Sequence, residues 1–176
     1  MDSLLKAARQ GNPDAFSRLY DDHHLPLFRF AWRLTGSIAD AEDIVQECFL
    51  SLLRPGCSFD DRRTSLRAYL FGVVRNQASK RFRRREDAVA DPEMPPDLRS
   101  PETEALRAEV ESSVSRAVLA LPATQREVLI LAHYEQLPLA EIAEIVGIDL
   151  GAVKSRLERA RGALRETLAE YAERLP

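Results

Sequence analysis

The chemistry available to this chain is concentrated in arginine, lysine, serine and asparagine side chains at helical spacing. That set suits phosphates and base edges better than bond making. The segment PLAEIAEIVGIDLGAVKSRLERARGALR has the spacing of a helix-turn-helix, with Ala143 at the close crossing, Gly147 at the turn and a second helix opening near Leu150. Gly147 fits because helix ends favour a left-handed residue. Asp149 can cap the second helix by accepting its free backbone N–H groups. Projected at about 100° per residue, Val153, Leu157, Ala160 and Leu164 share one stripe. Ser155 and Arg159 point away from that stripe, Glu158 and Gly151 lie beside them, and Lys154, Arg156, Arg161 and Arg165 flank the open surface. Arginine can pair twice with guanine, serine can donate or accept at several base edges, a carboxylate can accept from cytosine, and flanking cations hold phosphates. A solvated basic face would also read KSRLERAR. The coincidence of turn glycine, cap, stripe and cations favours DNA in a major groove.

A second cationic surface lies upstream, in LRAYLFGVVRNQASKRFRRR, Leu66 to Arg85. From Arg75 to Arg85 there are six cations and no acid, beside aromatics and an internal Asn76, a mixture suited to an unpaired strand. Tyr69, Phe71 and Phe82 sit among the helical apolar positions and read as core rather than as stacking platforms. The Asn76 amide presents donors and an acceptor and can read a base turned out of the duplex. In DAEDIVQECFLSLLR, Asp40 to Arg54, the residues Asp43, Gln46, Glu47 and Leu50 form an exposed acidic face with one projecting leucine. On physical grounds alone a solvated amphipathic helix explains that face.

Other reactive side chains point to no chemistry. Adjacent His23 and His24 face different sides of a helix, so they make a poor metal pair. Cys48 lies on an apolar stripe, where a buried inert thiol is expected, and Cys48 and Cys57 have neither CxxC spacing nor paired histidines nearby. Neither a cofactor nor a metal is implied. No nucleophile and base converge with motif support, so an enzyme is not expected.

The elements that must position these residues are helical. Phe16, Leu19, Tyr20, Leu27, Phe28, Ala31, Trp32 and Leu34 recur at helical spacing, with Pro26 expected to bend or break the segment and Thr35-Gly36 to end it. Ser37 with Asp40 resembles a capping arrangement for a second helix that stops before Pro55-Gly56. A third, from Leu66, runs into the basic block, making a three-helix bundle. Glu86 to Glu109 carries eight acids against two arginines, and Glu86 to Glu104 holds four prolines, a composition that reads as a linker. Beyond it Val110, Val114, Ala117, Val118 and Leu121 mark a helix, Pro122 restarts the chain, and two more helices follow. No period-two segment suggests a sheet. The expectation is an all-α protein of two small helical domains. The net charge of -3 argues against an indiscriminate nucleic-acid coat. No apolar run approaches a membrane span, and MDSLLKAARQ lacks a signal peptide's apolar core, so a cytoplasmic protein is expected.

LPATQREVLIL followed by LAEIAEIVGIDLGAVKSRLERARGALR resembles region four of the extracytoplasmic-function sigma factors of bacterial RNA polymerase. DAEDIVQECFLSLLR is similar to their region 2.2, and LRAYLFGVVRNQASKRFRRR to regions 2.3 and 2.4. The resemblance implies region 2 over residues 1–85, a linker over 86–108 and region 4 over 109–176. It implies minus-35 contacts by Lys154, Ser155, Arg156 and Arg159. Minus-10 contacts fall to Asn76, Lys80, Arg81, Arg83 and Arg84, with the loop Phe59 to Ser65 as the other wall of the base pocket. Tyr69 stands where the family usually has tryptophan, and Lys80 where aspartate is frequent. Core-polymerase docking falls to Asp43, Gln46, Glu47 and Leu50, which reverses the bland reading of that face. Implied partners are the clamp helices of the largest polymerase subunit, the flap of the second-largest, promoter DNA and an anti-sigma protein. The acidic segment then threads the polymerase channel, as an RNA mimic or as a plain tether. The rival is a free-standing helix-turn-helix regulator that acts without polymerase.

Overall fold

The computed structural model describes the backbone of residues 3–84 and 104–172 and the side chains of residues 3–81 and 110–169. Most of the expected acidic linker therefore lies outside the described residues. Among them the chain forms eight helices and no strand: α1 Ser3–Arg9, α2 Pro13–Thr35, α3 Ile38–Leu53, α4 Leu66–Arg84, α5 Glu104–Ala120, α6 Ala123–His133, α7 Leu139–Val146 and α8 Leu150–Ala172.

The first four helices pack together because each boundary is chemically specified. The Asn12 side chain accepts from the Ala15 N–H at 3.0 Å, and Pro13 opens α2 where a missing N–H costs nothing. Gly36, at φ 71°, closes α2 with its N–H on the Trp32 carbonyl at 2.7 Å. One residue later Ser37 caps α3 by accepting from the Asp40 N–H at 3.3 Å. Within this bundle Phe30 meets Phe71 edge to face at 5.2 Å, both fully buried. Leu19, Ile44, Leu52, Leu70 and Val74 fill the space around them.

Two expectations need correction. Pro26 does not break the chain, because α2 runs through it from Pro13 to Thr35. Leu19 and Leu27 on either side of the proline are both buried, and packing of α2 against α1, α3 and α4 outweighs one lost backbone bond. The bundle also has four helices rather than three. In α1, Leu5 and Ala8 are buried, and Arg9 Nε donates to the Leu52 carbonyl at 3.0 Å, tying the element to the end of α3.

In the second half α6 is buried from Arg126 to Leu131 and lies between α7 and α8, with α5 against α8. The halves are not apart. Helix α2 touches α5 and α6, α4 lies against α7, and one continuous apolar cluster runs through both halves. The approach is close at Gly36, where a Cβ would come within 2.9 Å of Leu119 Cδ1.

Cys48 is fully buried, its Sγ near the Leu70 carbonyl, and burial pushes its thiol up to about 12. Cys57 is partly exposed. Alkylation of the folded protein at neutral pH should modify Cys57 first and spare Cys48 until denaturant is added. Equal labelling rates by mass spectrometry would contradict this packing.

Candidate nucleic-acid interface

The helix-turn-helix is built as its residues dictate. Gly147 adopts φ 73° and ends α7, its N–H on the Ala143 carbonyl at 2.9 Å. Asp149 Oδ1 accepts from the Ala152 N–H at 2.9 Å and so caps α8. The glycine at 151 makes room for this cap, since a Cβ there would sit 3.0 Å from Asp149 Oδ1. Val153, Leu157 and Ala160 are buried, which orients α8, and Leu164 is half-buried. Lys154, Ser155 and Arg159 are exposed together, and Arg159 Nη2 donates to Ser155 Oγ at 2.9 Å. Arg156 is placed differently. It is half-buried and its Nη1 lies 3.3 Å from Glu127 Oε1. Arg161 pairs with Glu158 at 2.7 Å and donates to His133 Nε2 at 3.2 Å.

On α4, Asn76 and Lys80 are exposed one turn apart. Arg81 turns to α3, with Nη1 3.2 Å from both Asp40 and Asp43, so it joins the cationic end of α4 to the acidic face of α3. Arg83 and Arg84 lie on α4, with side chains outside the described residues, as does the Phe82 ring. Phe71 is core, whereas Tyr69 is half-buried and pins the preceding loop: its hydroxyl meets Cys57 Sγ at 3.3 Å and Ser58 Oγ at 3.4 Å, and its ring packs on Phe59 at 5.2 Å. Burial raises the Tyr69 phenol above its ordinary value. On α3, Asp43, Gln46 and Leu50 are exposed, Leu50 to 48%, and Glu47 is half-buried with Arg54 at 3.5 Å. His24 stacks on Tyr20 at 4.5 Å, while His23 lines a different cleft with Asp22, Pro26 and Arg67.

Each half of the chain thus carries a cationic helix surface, and α3, packed against α4, exposes an acidic face. The Sigma-70 region 2 profile matches residues 19–87, and the Sigma-70, region 4 profile matches residues 112–164. The chain is 38% identical over 162 residues to the ECF RNA polymerase sigma factor SigL of Mycobacterium tuberculosis, a match covering 86% of this chain and 88% of that one. It is 30% identical over 179 residues to the ECF RNA polymerase sigma factor SigW of Bacillus subtilis, covering 94% and 95%. The chain belongs to the extracytoplasmic-function sigma factors of RNA polymerase.

Solved structures agree with this sigma-factor assignment. CnrH, in complex with the cytosolic domain of CnrY, superposes with a TM-score of 0.72 at 26% identity, covering 95% of this chain and 96% of that one. The sigma factor RpoE of Bartonella quintana, in complex with the anti-sigma factor NepR, gives 0.64 at 29% identity, covering 81% and 89%. The region 2 profile spans α3, α4 and most of α2, whereas the region 4 profile spans α6, α7 and much of α5 and α8.

Two charged residues central to this sigma factor's geometry lie within LPATQREVLIL without a role that the sequence announces. Arg126 and Glu127 immediately precede the apolar run Val128–Ala132 of α6 and are 3% and 4% exposed. The Arg126 guanidinium reaches the carbonyls of Leu119, Leu121 and Leu34, and burial lowers it to about 10. Glu127 accepts from Arg75 of α4, Nε to Oε2 at 2.6 Å and Nη2 to Oε1 at 3.3 Å, as well as from Arg156. A pair of adjacent charges at the head of an apolar run was the available hint, but nothing local names their partners.

Replacing the α8 cap, Asp149→Ala, should lower stability by about 1 kcal/mol. Urea unfolding followed by circular dichroism measures it, and an unchanged midpoint would remove the cap from the account.

Proposed function

We propose that this sigma factor binds core RNA polymerase and directs it to promoters by dividing the work between residues 1–85 as region 2 and residues 109–176 as region 4, with 86–108 between them. One observation carries this reading. The capped α8 presents Lys154, Ser155 and Arg159 together to solvent, while α4 presents Asn76 and Lys80 on the other half of the same chain. Two such surfaces suit two separate DNA elements.

At the minus-35 element Arg159 and Ser155 read base edges and Lys154 holds phosphate. Arg156, already bound to Glu127, orients α8 and reaches a phosphate with its remaining N–H groups. At the minus-10 element Asn76 takes a base turned out of the stack, Lys80, Arg83 and Arg84 hold the strand, and Arg81 steadies α4 against α3. The loop from Phe59 to Ser65, fastened at Tyr69, forms the facing wall.

Exposed Asp43, Gln46 and Leu50, with Glu47, dock on the clamp helices of the largest polymerase subunit, the leucine supplying apolar area within a polar rim. Region 4 meets the flap of the second-largest subunit. The protein makes and breaks no bonds, and its binding energy drives strand opening. CnrH and RpoE were solved with bound protein partners, which supports an anti-sigma protein as a further partner here. Among the described residues no helix is long and apolar enough to cross a membrane, in keeping with action in the cytoplasm.

Substitutions separate the two tasks. Arg159→Ala should weaken recognition at one minus-35 base pair by about 1–3 kcal/mol, leaving other positions unchanged. Asn76→Ala should instead leave duplex binding intact and reduce permanganate reactivity of the melted minus-10 strand. Footprinting and permanganate probing of each holoenzyme check this, and equal opening defects in the two variants would refute the division.

A further inference from the structure

Within residues 154–159 of α8 the exposed side chains are Lys154, Ser155, Glu158 and Arg159. Three of them suit a polyanion, and Glu158 does not, since a carboxylate repels phosphates as a duplex approaches. Its side chain is 65% exposed, on a face turned away from buried Val153, Leu157 and Ala160. It is nevertheless held in place. Arg161 Nη1 donates to Glu158 Oε1 at 2.7 Å, and Arg161 Nε donates to Nε2 of His133, the last residue of α6, at 3.2 Å. Among the described residues Arg161 occupies Oε1 alone and leaves Oε2 open to a donor. Glu158 also stands between two glycines on its line of the helix, Gly151 two turns before it and Gly162 one turn after. Gly151 makes room for the Asp149 cap. Gly162 sits mid-helix, where glycine is disfavoured, and a Cβ there would meet nothing within 4 Å, so no packing within the fold calls for it. A surface brought against this line meets backbone beside the carboxylate.

We propose that Glu158 is a specificity-determining residue for the minus-35 element, selecting a cytosine by accepting a hydrogen bond from its exocyclic amino group in the major groove, with Arg161 as its positioning residue. This rests on the promoter-recognition reading above, and it adds to Lys154, Ser155 and Arg159 a residue that chooses by exclusion. An ionised carboxylate can only accept. Guanine presents two acceptors in the major groove and thymine an acceptor and a methyl group, so the open Oε2 is repelled at either. Adenine offers its amino group beside the N7 acceptor, whereas cytosine offers an amino donor with no acceptor on its own edge. Cytosine is the base this group fits.

Arg161 serves this contact in two ways. Its charge offsets that of the carboxylate, so the pair approaches the duplex without net charge. Its tie to His133 also sets the carboxylate before DNA arrives, so less rotamer freedom is lost on binding. Arg159 is held separately, by the bond of its Nη2 to Ser155 Oγ at 2.9 Å. Adjacent residues are thus positioned by different neighbours, and the base preference of each can be lost without the other.

Competition binding of the reconstituted holoenzyme to promoters randomised in the minus-35 element tests this. Glu158→Ala and Glu158→Gln remove the same charge, so a difference between them reports contact with a base. Wild type should prefer cytosine at one position by about ten-fold. Glu158→Ala should flatten that position, and Glu158→Gln should turn its preference toward adenine, whose N6 and N7 suit an amide. Arg161→Ala should diminish the cytosine preference while leaving the base preference set by Arg159 as it was, and an undiminished one would remove Arg161 from its positioning role. Equal gains in affinity by both Glu158 variants for every sequence would mean a carboxylate that only repels phosphate, and would overturn the assignment. Arg159→Ala, run in parallel, separates that outcome from a failure of the promoter reading. An element altered by Arg159→Ala but at no position by either Glu158 variant sinks the role of Glu158 alone, whereas an element altered by none of them sinks both.

Discussion

One buried carboxylate, Glu127, sets the terms for the rest of the molecule. An ionised group 4% exposed costs several kcal/mol unless its oxygens are met by donors. Arg156 meets one oxygen from α8, and Arg75 meets both from the other half of the chain. The first contact fixes how α8 sits on its own domain, and the second fixes how the domains sit on each other. Its neighbour Arg126 works similarly, closing the end of α5 through Leu119 and Leu121 while reaching Leu34 across the seam. Two adjacent charges at the head of the apolar run of α6 thereby organise both the region 4 half and its contact with the region 2 half.

Division of charge follows the same logic. A net charge of -3 gives no general affinity for DNA, yet α4 and α8 each carry a cluster of cations. Either surface alone is small. Together they gain from being linked, since the second contact is made at the effective concentration set by the connecting segment. The acidic face of α3 is bonded through Asp43 to Arg81 of α4, which puts the proposed docking surface in direct contact with the helix proposed to hold the melted strand.

Features set by nearest neighbours along the chain were legible in the sequence. Ser37 and Asp149 cap helices, and Gly36 and Gly147 end them in left-handed geometry, because a cap needs only a side chain within three residues. The stripe Val153, Leu157, Ala160 was likewise readable from period alone. What escaped was set by distant partners. Helix α1 is only seven residues long and owes its existence to burial of Leu5 and the Arg9 bond to Leu52. Pro26 is tolerated because α2 is gripped on several sides. Arg156 and Arg81 look like free cations in the sequence and are tied to Glu127 and Asp43 only by the fold. Pairings of this kind have no spacing rule, so no local pattern announces them.

The account stands on promoter use requiring core polymerase together with this chain. Run-off transcription across a promoter library, with core enzyme alone, chain alone and both, measures that directly. Defined transcripts should arise only when both are present, from promoters sharing one pair of spaced elements. Site-specific occupancy of duplex DNA by the chain alone, with no transcript gained on adding it to core enzyme, would contradict the account.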